Sequence, residues 1–224
     1  MSKIYLSAEA EECVRDTLSS QGHQIINIVP SPLVDRRIAS HADLFFCDLG
    51  QLLFHGEPSR LGRLYPKDIP YNACSTGKYF IHNLKYTDPL LHSEAKKLGQ
   101  IFIHVAQGYA RCSCLPVDAD SVITADLGIA SACRRAGLHV LTIRTGHILL
   151  PGFSSGFIGG AAGRIGTQIF FHGDLLSHPD SRAITDFIRE RGLEWVSFPE
   201  FPLTDIGSLL EEKNFPCNPE PSLT

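Results

Sequence analysis

Apolar residues along this chain alternate between two rhythms. Short runs such as Ser121–Ala125 (SVITA) are dense in β-branched side chains and read as strands. Stretches such as Leu127–Ala136 (LGIASACRRA) place their apolar residues at helical spacing. Four joints repeat the same order of polar helix, glycine and strand. They read LSSQGHQIINIV at Gly22, KKLGQIFIHV at Gly99, RRAGLHVLTI at Gly137 and RERGLEWVSF at Gly192. A glycine there takes the left-handed conformation that ends a helix. Two units also share a tag, Tyr71-Asn-Ala-Cys74-Ser and Tyr109-Ala-Arg-Cys112-Ser. The spacing from 74 to 112 equals that from Gly99 to Gly137.

The copy from Tyr109 to Arg144 is the clearest. RCSCLPV alternates as a strand, Asp118-Ala-Asp-Ser turns, and SVITA is a second strand. Asp126 stands where a helix N-cap belongs, and LHVLTIR is a third strand after Gly137. The unit is therefore ββαβ. Unit one begins in mid-unit with KIYL and a helix from Ser7 to about Gln21. A late unit runs FIGGAAGRIG, TQIFFHGD, a helix from about Pro179 to Arg191, then LEWVSF. A degenerate copy, ADLFFCDLG with QLLF, shows no helix. The stretch Phe201–Leu210 (FPLTDIGSLL) reads as a strand able to complete unit one. The pattern predicts an α/β chain of five pseudo-symmetric ββαβ units closed into a β/α-propeller, because closure removes exposed sheet edges. One domain would span 1–210, with a Pro-containing tail over 211–224.

Composition narrows the function classes. The 224 residues are 43% hydrophobic and 20% charged, with a net charge of −4, ordinary for a globular protein. Lys and Arg do not cluster, so no nucleic-acid partner is expected. The apolar stretch from Ile148 to Gly163 is broken by Pro151 and glycines, so no membrane partner is expected. MSKIYLSAEA lacks the apolar core of a signal peptide, which gives a cytoplasmic expectation. Seven cysteines without a Cys-x-x-Cys pair read as reduced thiols.

Five ββαβ units with a closing C-terminal strand, GFIGGAAG followed by HGDL, and the late TDIG together resemble the pentein, or guanidine-modifying enzyme, superfamily. The resemblance covers residues 1 to about 210. It implies a β/α-propeller with a central cavity, a Cys nucleophile near the C-terminus, a His, and carboxylates that hold a guanidinium. The chain departs from that pattern at the closing strand, where Thr204, Asp205 and Ser208 stand but no Cys does. Cys217 lies beyond it.

The candidate residues follow from aligning the units. The tags put Cys74, Cys112 and Gly160 in equivalent slots, with Cys114 on the strand face of Cys112. These thiols are candidate nucleophiles, or small residues packing a crowded core. Asp126 and Ser7 read as helix caps. Asp48 and Asp174 lack an evident local role and, with Asp205, are candidate ligand-binding carboxylates. His41 and Asp43, two apart, could form an oriented base or an ordinary surface pair. His172, Asp174 and His178 do not have the spacing of a known metal site, and no metal or cofactor is expected. The glycines around Gly160 precede a strand rather than a helix, so they do not read as a nucleotide loop. They mark close approach of backbone to a ligand or to packing. The resulting expectation is a protein that binds a small guanidino-type or cationic ligand, with or without hydrolysing it. The alternative is a non-catalytic propeller serving as a protein-interaction module.

Overall fold

The computed structural model describes residues 1–213. The first sheet holds β1 (Lys3–Ser7) parallel to β2 (Gln24–Ile28), joined by α1 (Glu12–Ser20). β3 (Phe46–Asp48) and β4 (Leu53–His55) form an antiparallel pair with no helix or third strand. In the third sheet β5 (Cys74–Ser75) is antiparallel to β6 (Tyr79–His82). α2 (Pro89–Lys97) then leads to β7 (Ile101–His104), parallel to β6. A single helical turn, α3 (Ala110–Ser113), precedes β8 (Cys114–Asp118) and β9 (Ser121–Thr124). α4 (Leu127–Arg135) and β10 (His139–Thr142) complete that sheet. The last full unit is β11 (Ala162–Ile165), β12 (Gln168–Phe171), α5 (Ser181–Arg189) and β13 (Glu194–Val196). β14 (Leu210–Glu212) returns to pair antiparallel with β1, Tyr5 opposite Leu210.

The ends of α4 and α2 are coded locally, whereas α1 begins at Glu12 and not at Ser7, whose hydroxyl accepts the Glu9 N–H and does not cap the helix. Asp126 Oδ1 accepts the Ile129 N–H at 2.8 Å, and Gly137, just past α4, has φ +94°. Asp88 caps α2 by accepting from Leu90 and Leu91, with Pro89 in the first turn. Each crossover helix buries one face. On α4 this is Ile129, Ala132 and Cys133, packed against Val122 and Ile103.

The closed β/α-propeller is not what the chain forms. Among the described residues the strands lie in five small separate sheets, and none is closed or curled into a barrel or propeller. The architecture is mixed α/β. Two physical reasons stand out. The strands are two to five residues long, and neighbouring sheets share no ladder; the β11 and β14 regions meet through single backbone bonds such as Leu209 N–H to Ala162 O. The second unit has two strands only, so the five are not equivalent copies.

Other expectations also change. RCSCLPV is not one strand, because its first residues coil into α3. Most of the proposed closing strand, from Phe201 to Ser208, is irregular: Pro202 and Thr204 make isolated bridges to Asp174 and Leu149, and continuous pairing starts at Leu210. Glu211 and Glu212, assigned to the tail, belong to β14. The rest of the tail from 214, with Cys217, lies outside the described residues. No helix among the described residues is long and apolar enough to cross a membrane.

Candidate functional site

Segments far apart in sequence converge on one small cavity. The first is a 3-10 turn, Ala42–Leu44, preceded by His41. The Asp43 N–H donates to Gly207 O at 3.1 Å, which pins this turn to the segment before β14. Gly207 (φ +80°) lies so close to His41 that a Cβ there would fall 2.1 Å from the His41 Cβ. The contact needs a residue without a side chain and fixes the imidazole.

Asn72 is the bracket between this turn and α3. It is fully buried. Its Oδ1 accepts the backbone N–H groups of Arg111 (3.0 Å) and Cys112 (3.3 Å). Its Nδ2 donates to Asp43 O and to Cys112 Sγ, both at 3.2 Å. One amide thereby holds three segments in register. Cys112 Sγ donates to Asp43 Oδ2 at 3.1 Å, and the Ser208 hydroxyl donates to the same oxygen at 2.6 Å. Ser208 has φ +71°, a conformation that costs a non-glycine residue free energy and recurs at functional sites. Asp43 Oδ1 is buried with no hydrogen-bond partner.

Asp205 faces the cluster from the other side. Its Oδ2 accepts from Phe157 N (2.9 Å) and its Oδ1 from Gly207 N (3.0 Å). Its nearest cationic candidate is His41, with Nδ1 3.9 Å from Oδ1. Burial pushes the Asp205 carboxyl up to about 6, with His41 opposing the rise and the Asp43 charge adding to it. Burial also pushes the Cys112 thiol well up, reinforced by the charges of Asp43 and Asp205. Cys112 is therefore a thiol at neutral pH, donating to Asp43. Arg111, also buried, bonds to Gly159 O and Ala162 O instead of a carboxylate.

His41, Cys112 and Asp205 open into a cavity of about 270 Å³ walled by Ile38, Leu44, Leu150, Tyr109, Phe153 and Phe157. The Arg37 guanidinium stands 4.2 Å from the Phe153 ring centre and donates to Gly152 O, joining two loops at this wall. Asp68, buried behind Tyr109, accepts the Tyr109 hydroxyl.

Of the residues singled out in the sequence, Cys112, His41 and Asp205 meet here, and Gly160 supports them. A Cβ on Gly160 would fall 2.0 Å from Asp205 Oδ1, so the glycine's close approach is to Asp205. Cys74 is elsewhere, in a core cluster with Cys114, Cys133 and Ile129. The α3 turn is the reason. It moves Cys112 off the strand face, and Cys114 becomes the partner of Cys74. His41 and Asp43 are not a surface pair, being 5% and 0% exposed.

Asp48 and Asp174 have the local roles the sequence did not reveal. Asp48 accepts the Gly50 N–H at 2.7 Å in a tight turn, and Asp174 caps a 3-10 turn through Leu176 N at 2.9 Å. Asp48 also borders a separate cavity of about 400 Å³ with Arg164, Lys213 and Glu211. His172 and His178 serve separately, accepting the N–H groups of Glu11 and Asp180. Asn72 and Ser208 escaped the sequence reading. Asn72 stood inside a repeated tag, which was the available signal.

A family model matches residues 54–210. The chain belongs to the DUF6873 family. That family is described as one of unknown function. The part shared with DUF6873 contains Asn72, Cys112, Gly160, Asp205 and Ser208, while His41 and Asp43 precede it. No curated protein matches the sequence.

Proposed function

We propose that the cavity binds a small organic cation of the guanidino or amidino type, with Cys112, His41 and Asp205 as the groups that contact it. One observation carries this reading: two buried carboxylates, Asp43 and Asp205, share the site. Among the described residues neither pairs with a Lys or Arg. Buried charge without a partner is costly, and an entering cation removes that cost. The apolar walls suit a small hydrocarbon body, and Asp205 suits the planar head, since a carboxylate takes a guanidinium through two parallel hydrogen bonds.

The same charge relation supports chemistry on the bound ligand. Burial and two negative charges hold Cys112 protonated. A bound cation offsets those charges and favours the thiolate. Cys112 would pass its proton to Asp43, and sulfur would attack the amidine carbon. The C–N bond would then break as the amine leaves with the proton that Asp43 took from Cys112. Water would attack the S–C carbon, His41 taking a proton from it and returning that proton to the departing sulfur as the thiol, while the released amine carries away the remaining proton as its ammonium.

The test is thermal unfolding with arginine, agmatine and simple guanidines, all in EDTA. A ligand at roughly a hundred times its Kd stabilises by about 2.7 kcal/mol. Asp205→Asn is expected to abolish the shift. Absence of stabilisation by any guanidine at millimolar concentration would reject the reading. Ammonia or amine release that depends on Cys112 would separate turnover from binding alone.

A further inference from the structure

We infer that His41, Asp43 and Cys112 form a site for a thiophilic divalent metal ion, Zn²⁺ by the chemistry of the donors, with its fourth position open to the cavity. One ligand atom from each residue lies within 4.8 Å of the others, and all three residues are buried. Tetrahedral zinc bonded at about 2.0–2.3 Å holds its donors about 3.5 Å apart. Cys112 Sγ and Asp43 Oδ2, at 3.1 Å, already stand near that spacing. A modest inward movement of the imidazole completes the set.

A second observation points the same way. Asp43 is 0% exposed, and its Oδ1 has no hydrogen-bond partner among the described residues. A native interior seldom leaves a carboxylate oxygen so. The charge balance agrees: Asp43 and a Cys112 thiolate together neutralise a divalent ion.

The supports around the donors are those of a ligand shell. Ser208 donates to Asp43 Oδ2, and the Asn72 amide donates to Cys112 Sγ, a hydrogen bond that favours the thiolate. Gly207 presses on His41. A sulfur, an imidazole and one carboxylate select zinc over magnesium or calcium, which take oxygen donors. Binding forms the metal–sulfur bond as the Cys112 proton leaves to solvent, with no change of oxidation state. The bound ion takes the sulfur lone pair, so it excludes covalent chemistry at Cys112. The inference stands apart from the organic-cation reading, since metal and guanidine answer the same negative charge by different chemistry.

The experiment uses the full chain stripped with EDTA, freed of chelator and titrated with Zn²⁺ against a chromophoric chelator. One equivalent is expected, held at least a hundredfold more weakly by Cys112→Ala. Co²⁺ in place of Zn²⁺ is expected to give a thiolate-to-cobalt charge-transfer band that Cys112→Ala lacks and Cys114→Ala keeps. His41→Ala, at the cavity wall, is expected to weaken uptake tenfold or more and serves where Cys112→Ala fails to fold. No uptake by the wild type, or unchanged uptake in the Cys112 and His41 variants, would overturn the inference. Guanidine stabilisation in EDTA without zinc uptake would reject the metal site alone, and the reverse would reject the organic-cation reading alone.

Discussion

Two interior histidines make this fold sensitive to mild acid. His82 is fully buried. Its Nε2 donates to Gly108 O at 3.1 Å, and its Nδ1, 2.7 Å away, accepts from Thr87. His172 accepts the Glu11 N–H at Nε2, and its buried Nδ1 has no partner. Burial lowers each imidazole from 6.5 to about 4. The unfolded chain therefore takes up these protons first. Their contribution is complete above pH 6.5 and is lost as pH falls towards 4. For each ring the gap between 6.5 and about 4 is worth about 3.4 kcal/mol. Asp205 works in the opposite sense. Its folded value of about 6 lies above the ordinary 3.8, so it returns about 3 kcal/mol over that range. The three groups together predict a net loss of about 3 kcal/mol between pH 7 and pH 4. Trp195, the sole tryptophan, packs against a core cluster and reports unfolding in urea by fluorescence. The clean comparison is wild type against His82→Gln. The variant is less stable at pH 7, and its deficit is expected to shrink by about 3 kcal/mol by pH 4. A deficit that stays constant across this range would refute the assignment of His82 as a neutral, desolvated ring.

Two further outcomes follow from packing and capping. A Cβ on Gly159 would sit 2.1 Å from Arg111 O and 2.7 Å from Cys112 O and Cys114 O. Backbone carbonyls cannot swing aside, so Gly159→Ala is expected to cost about 3 kcal/mol or more, read from urea melts. Asp88 caps α2 and accepts from Arg60 Nη1 at 2.8 Å. Asp88→Ala is expected to cost about 1–2 kcal/mol in the same assay. A loss below a few tenths would show that α2 is held by its buried Leu91 and Ala95 alone.

The elements legible in the sequence were those coded locally. Asp126 and Gly137 bound α4, and alternation with β-branched content marked β9, because each depends on neighbours a few residues away. The site was only half legible. His41, Cys112, Asp205 and Gly160 could each be named, yet their meeting depends on contacts between segments near 41, 72, 112, 160 and 207, which no spacing encodes. The turn at Ala110–Ser113 also defeats the alignment of tags. It rotates Cys112 out of the strand register, so the residue equivalent to Cys74 by packing is Cys114. Asp48 and Asp174 misled for the opposite reason. Their carboxylates accept amides two residues ahead, and such turns carry no helix to announce them.

The pairing of β14 with β1 sets a timetable for the molecule. Ile4 lies opposite Glu211, so this pairing forms only after all the chain between them has been made. Asp205, Gly207 and Ser208 arrive with the same late segment, and they supply the second carboxylate, the hydroxyl and the contact that seats His41. Contacts of such long sequence separation form late and slow a fold's completion. Until the late segment docks, Cys112 and Asp43 lack the Ser208 hydroxyl and the Asp205 carboxylate that enclose them.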